Sequence, residues 1–297
     1  MGYEPGGRIA PVAPAPSLLT SARKGLTNVA DWRSGVAWTP VCQPSYNLVF
    51  CPPKVDRNDA EDRAEVHTTP FTIYTPQICD MPVDGADLEA TVRDLSEVHT
   101  AYAIASALWM GTGLDPTDEA IPTLRRSAED VSGGTALDLD DGVAQLLAHY
   151  EIATGGNGGA VVHLPSQLSV YALGGGAGGA RLCWPEGSVY RGPLGSTFVC
   201  GPGYPNGTSA TGPNGHGPGG GGSYLGNPPA KSWIYVTGPV EYDVTAVRVL
   251  PDDERDRVPF RRNTYEVWGE REAIVRFDPC SSFATEVINP APLAELS

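Results

Sequence analysis

Lysine is scarce in this sequence: Lys24, Lys54 and Lys231 are the only ones in 297 residues. Lysine and arginine together number 20 against 35 aspartates and glutamates, for a formal charge of −15. A surface of that sign repels polyanions, which excludes a Lys/Arg patch that reads nucleic-acid sequence or collects anionic lipid. Long hydrophobic runs are missing too. No stretch nears the roughly 20 apolar residues of a membrane span, and the first ten residues have neither the cationic start nor the apolar centre of a secretory signal. The expectation is a chain that folds in a cytoplasm without a membrane partner.

Chemistry-bearing clusters are also lacking. The six cysteines (Cys42, Cys51, Cys79, Cys183, Cys200, Cys280) form no C-x-x-C pair and have no histidine at metal-ligand spacing, so neither a metal nor a cofactor is expected. In a reducing cytoplasm they read as small buried hydrophobes. The five histidines (His67, His99, His149, His163, His216) are dispersed and accompany no nucleophile motif, so they read as structural. The glycine runs at 174–179 and 217–222 lack the Lys-Ser/Thr ending of a phosphate loop and read as flexible turns. No Ser/His/Asp or metal constellation converges, and an enzyme is not expected.

What is present is ample apolar content, 41%, enough for one large domain or two ordinary ones. Pro5, Pro11, Pro14 and Pro16 rule out a long helix or central strand near the start, so residues 1–35 read as an extended arm that needs another surface to lie on. Between 36 and 82, two β-favouring stretches (39–51 and 68–79) flank the charged segment 56–63, the pattern of a long hairpin. If it turns near Ala60 and Glu61, Cys42 and Cys79 fall opposite each other at a spacing that allows a disulfide. A lone hairpin is marginal in water, so this one should lean on another chain.

A long helix is expected over 84–110, with Leu88, Val92, Leu95, Tyr102, Ala105 and Trp109 on one side and a stop at Gly111-Thr112-Gly113. A second runs from Leu139 to Glu151, with Asp138 or Asp140 as N-cap. A buried strand at 160–164 leads through Pro165 into a short helix. Further strands are expected near 233–237, 244–250, 263–268 and 273–277, and 201–230 reads as a Gly/Pro-rich surface insertion. Helices and strands do not alternate regularly, so the class is α+β and not a doubly wound sheet.

In serial order these elements resemble the major capsid proteins of tailed bacteriophages, the Hong Kong 97-type capsid fold shared with encapsulins. The likeness rests on the arm, the hairpin and the long helix, then on Val161-Val162-His163-Leu164-Pro165 and Pro193-Leu194-Gly195-Ser196-Thr197-Phe198-Val199. It continues in the closing run Asn263 to Glu272, Phe277-Asp278-Pro279 and Phe283. The resemblance implies an N-terminal arm (1–35), an E-loop hairpin (36–82) and a peripheral domain with a spine helix (83–137). An axial domain (138–250) follows, carrying the insertion at 201–230, and closing strands (251–297) return to the peripheral domain.

As function it implies a structural, non-enzymatic subunit of an icosahedral head. The subunit would tile with itself as hexamers and pentamers and enclose double-stranded DNA without reading its sequence. Separate scaffolding, portal and decoration proteins are the implied partners, and the virion capsid, assembled in the bacterial host cytoplasm, is the implied location. Some relatives weld their shells with an isopeptide bond; by resemblance the residues here are Lys54 in the hairpin, Asn263 as acceptor and Glu270 as base. Such a bond needs Lys54 desolvated and neutral. Otherwise Lys54 is a solvated tip charge, and Glu270 pairs with Arg271 or Arg276. Two other readings stay open: an encapsulin-type nanocompartment shell, and, from the tryptophans, prolines and Gly-rich loop, an extracellular ligand- or glycan-binding domain.

Overall fold

A computed structural model describes residues 18–25, 35–38, 66–79, 85–111, 122–156, 159–174, 181–187, 189–200, 204, 231–251 and 265–290. The chain begins with a helical turn α1 (Leu18–Ser21) and a short strand β1 (Arg23–Lys24), and β2 (Val36–Trp38) then pairs antiparallel with β3 (Val66–Thr68). Next come β4 (Phe71–Cys79), the long helix α2 (Gly85–Met110), a turn α3 (Leu124–Ser127) and β5 (Glu129–Asp130). The middle of the chain holds α4 (Leu139–Thr154), β6 (Val161–Leu164), α5 (Ser166–Gly174), β7 (Trp184–Glu186), β8 (Val189–Arg191) and β9 (Thr197–Cys200). Five strands close it: β10 (Lys231–Thr237), β11 (Glu241–Val244), β12 (Arg248–Pro251), β13 (Tyr265–Arg276) and β14 (Phe283–Ile288).

The strands make two main sheets. In the first, β13 is the axis: one edge carries β11 and β12 end to end, the other carries β4 along nine residues, and β1 adds parallel to β11. The second sheet runs β5-β14-β10-β6-β9-β8-β7, with β10 an interior strand, buried from Ser232 to Thr237. Side chains alternate faces along a strand. Val162, Leu164, Phe198, Ile234 and Val236 therefore pack under α4 and α5, while Val161, Val199, Trp233 and Tyr235 face the end of α2.

Trp109 joins the two halves. It is fully buried, with its ring 5.0 Å from Tyr204 and 4.7 Å edge-on from Tyr235, in the same core as Ala273, Val275 and Phe277 of the first sheet. Gly111 ends the helix at φ +90°, a backbone conformation that glycine adopts without a Cβ penalty.

Several expectations are corrected. Part of the arm docks on its own chain: Leu18 is buried beside α2, and β1 pairs with β11. The hairpin register differs as well. Val36 stands opposite Thr68, whereas a Cys42–Cys79 facing pair would set Val36 opposite Gly85, the first residue of α2; β4 is a partner of β13 over its whole length.

The two strands expected at 263–268 and 273–277 are one, β13. Gly269 lies inside it because the helix comes so close there that a Cβ would run into Ser96 and Val92. Conversely, the strand expected at 244–250 breaks between β11 and β12. The inward row of α2 is Val92, Ser96, Thr100, Ile104 and Leu108, leaving Tyr102 at 56% exposure, because small polar residues let the helix approach β13 closely. Finally, Tyr204 lies in the core, so the Gly/Pro-rich segment is rooted in the interior and not wholly superficial.

Candidate functional site

Arg271 projects from the inward face of β13 and is buried. Its Nε and Nη2 donate to the Thr245 carbonyl at 3.0 and 2.7 Å, and Nη1 donates to Thr100 Oγ1 at 3.0 Å and pairs with Glu97 at 3.0 Å. The Thr245 carbonyl belongs to the break between β11 and β12. One guanidinium thus satisfies the acceptor that the ladder leaves over and ties the break to α2. Arg276 pairs instead with Glu241 at 2.8 Å and Asp243 at 4.0 Å. Neither arginine pairs with Glu270 as expected.

Glu270 stands on the opposite, outward face. Its backbone neighbours are Arg248 on β12 and Tyr74 on β4, and the next row outward is Leu250, Trp268 and Pro76. Tyr74 is 59% exposed and Trp268 40%, so this face of the sheet shows solvent two large aromatic rings around a carboxylate and an arginine. Exposed aromatics of this kind are suited to burial against another surface. The second sheet carries its own exposed apolar groups near its free edge, β7. Trp184 lies on that strand, and Leu194, 65% exposed, sits at φ 57° in the turn before β9.

Of the residues expected to carry a crosslink, Lys54 and Asn263 lie outside the described residues, as does Cys42. Cys79 is the last residue of β4, opposite Tyr265. β13 runs unbroken from Tyr265 through Glu270, about 17 Å at strand rise.

Several buried polar groups inside the fold have structural partners. His163 Nε2 lies 2.9 Å from Thr237 Oγ1, whose hydrogen goes to the Gly238 carbonyl; that oxygen therefore accepts from Nε2–H, and Nδ1 accepts from the Tyr204 hydroxyl at 2.6 Å. Burial pushes His163 down to about 3, so the ring is neutral at physiological pH. This network anchors Tyr204 under Trp109; the alternation of β6 places His163 inward, but nothing in the sequence pairs it with Tyr204. His149 lies against the Phe283 ring, and His99 Nδ1 is 3.3 Å from Thr75 Oγ1. Among the described residues no group of three or more His, Cys, Asp or Glu side chains could hold a metal ion.

The cysteines divide into two kinds. Cys183 and Cys200 are free and buried, and burial raises their thiols to about 12 and about 11, which keeps them protonated. Cys280, in the turn between β13 and β14, is disulfide-bonded, against its reading as a small buried hydrophobe.

No protein-family model matches the sequence, and no curated protein matches it. Solved structures do. The capsid of an empty GTA particle superposes with TM-score 0.60 at 13% identity, over 97% of this chain and 96% of the other. A structure from Mycobacterium phage Ogopogo gives 0.59 at 13% identity, covering 97% of each chain, and the capsid of Ralstonia phage GP4 gives 0.52 at 11%, covering 98% and 96%. With identities this low the likeness is one of fold, and it runs from end to end: the chain has the fold of phage and gene-transfer-agent capsid proteins.

Proposed function

We propose that the chain is the major shell subunit of an icosahedral phage head, a structural protein that works by tiling with itself. The end-to-end likeness to the capsid of the GTA particle, with 97% of this chain matched to 96% of the other, carries the reading. The Tyr74–Trp268 face adds a surface suited to burial between subunits. In Hong Kong 97-type terms, α2 with the sheet around β13 is the peripheral domain, and the sheet around β10 with α4 and α5 is the axial domain. The segment between β2 and β3 is the E-loop, and residues 71–79 go with the peripheral sheet instead of the hairpin. Hexamers and pentamers of this subunit enclose double-stranded DNA within the virion. Assembly takes place in the host cytoplasm, with separate scaffolding, portal and decoration proteins.

A covalent weld is part of the proposal. Lys54 of one subunit attacks the Asn263 side-chain amide of a neighbour, ammonia leaves, and Glu270 takes up the proton from the amine.

Light scattering with negative-stain microscopy on the purified protein, with scaffold supplied, tests the main reading. Closed shells or ring-shaped capsomers are expected, and a monodisperse monomer under every assembly condition overturns it. A ladder of covalent multimers on a reducing, denaturing gel, abolished by Lys54→Ala, is expected for the weld; its absence from mature shells refutes the weld alone.

A further inference from the structure

The turn between β8 and β9 is tightly built and ends on an apolar side chain. The Ser196 N–H donates to the Pro193 carbonyl at 3.0 Å, and the Gly192 N–H donates to the Ser196 carbonyl at 2.9 Å. Ser196 Oγ donates to the same Pro193 carbonyl at 2.7 Å. The two central residues are Leu194, at φ 57° and ψ 22°, and Gly195, at φ 72°. Positive φ at both centres is the pattern of a type I′ turn, which Asn and Gly enter without the Cβ penalty that leucine meets. Among the described residues, Leu194 is the only one other than glycine with positive φ. Its side chain is also 65% exposed, so contacts within its own subunit do not offset the strain.

Trp184 shares this corner. It pairs with Arg191 across β7 and β8, three residues before Leu194, which keeps the two Cα atoms within about 16 Å of each other. Its side chain is 46% exposed. β7 is the free edge of the sheet, but Pro185 at its centre has no N–H to give, so an added strand finds a poor template and contact falls to the side chains. The charge here departs from that of the chain. Residues 181–200 hold two arginines, Arg181 and Arg191, and one glutamate, Glu186, whereas the whole carries −15. Glu186 pairs with Arg191 at 3.4 Å, which leaves the corner with a surplus of positive charge. An acidic copy of the chain is attracted to such a corner, while the rest of the surface, taken together, repels it.

We propose that the Leu194 turn and Trp184 form a contact with a second copy of this chain, in which Leu194 is a rigid apolar knob buried against the neighbour. The contact rests on the shell reading and adds to it an interface separate from the Tyr74–Trp268 face, which belongs to the other sheet. Because the corner is locally cationic and would repel its own image, the surface that receives it is a different, acidic patch. The contact is therefore head to tail, the kind that closes subunits into rings. Burial of the leucine in that contact offsets the strain that the isolated subunit leaves uncompensated.

Leu194→Asn in the full-length protein tests the contact. Asparagine tolerates this φ, so the variant should melt no lower than the wild type, while the subunit concentration at which capsomers or shells appear should rise at least about tenfold. Leu194→Met keeps an apolar side chain of similar reach and should assemble as the wild type does. Calorimetry reads the first property, and light scattering over a concentration series with negative-stain microscopy reads the second. A photoreactive benzophenone side chain at position 194 gives a second test: irradiated assemblies should yield covalent dimers of this chain. If Leu194→Asn fails to fold, the cross-link decides. Assembly of Leu194→Asn at the wild-type concentration, failure of Leu194→Met alongside it, or cross-links confined to one subunit or made to another protein overturn the contact and leave the shell reading standing. A wild type that stays monomeric under every assembly condition overturns both.

Discussion

Two buried side chains carry predictions of opposite character. Arg271 is a cation out of water whose neutralising partner, Glu97, is itself mostly solvated, whereas its hydrogen bonds to the Thr245 carbonyl are made inside the sheet. Exposed ion pairs contribute little, while charge-assisted bonds to a buried acceptor contribute more. Arg271→Met should therefore cost about 2 kcal/mol or more by leaving that carbonyl unpaired. Glu97→Gln should cost under about 1 kcal/mol. Urea denaturation of both variants checks the contrast, and equal costs would mean that the ion pair, not the carbonyl, holds the break.

His163 is neutral in the folded chain and ordinary in the unfolded one. Its folded value of about 3 lies below the usual 6.5, so between those limits the unfolded state binds the extra proton and stability falls as pH falls. The slope is about 1.4 kcal/mol per pH unit for this single group, with nothing lost above pH 7. His163→Gln keeps an amide that can donate and accept but cannot ionise. Denaturation at pH 7 and pH 5 should show a smaller acid loss in the variant than in the wild type, by about one proton's worth.

At the scale of elements, the contact of α2 with β13 is set by what is missing at Gly269. Helix and strand approach until a Cβ there would overlap Ser96 and Val92. Gly269→Val must push them apart or bend the strand, for an expected loss of at least about 2 kcal/mol. Glycine at a position of ordinary extended φ would gain from a β-branched residue if packing allowed it, so a neutral or stabilising result would refute the close-approach reading. The same contact explains why this strand was legible only in pieces. An isolated glycine within an alternating run reads as punctuation, and here it marks a contact with a helix some 170 residues earlier in the chain. The hairpin was misjudged for a related reason. Alternation shows that 71–79 is a strand, but it carries no record of which edge the strand joins, and β13 supplied one from the far end of the chain.

For the whole molecule, the outward face around Tyr74 and Trp268 is what a free monomer would have least reason to keep. Tyr74→Glu combined with Trp268→Glu should leave folding intact, since neither side chain enters the core, and should abolish closed shells. Circular dichroism reads the first and negative-stain microscopy the second. Wild-type shells from the double variant would mean that the face stays open to solvent in the assembly.

The sequence by itself determined the class, the order of elements and the long helix with its glycine stop. Those depend on local matters: periodicity, capping, and the φ that proline and glycine allow. It also determined the acidic surface, since charge follows from composition. Tertiary structure alone decided that β13 is one strand, that β4 belongs to its sheet and that Tyr204 reaches into the core to hold His163 and Trp109. It also decided that Arg271 serves a broken ladder while Glu270 faces out. Each of these is a pairing between residues far apart in the chain. Such pairings are fixed when the two sheets and the helix bury their faces together, and no local pattern encodes them.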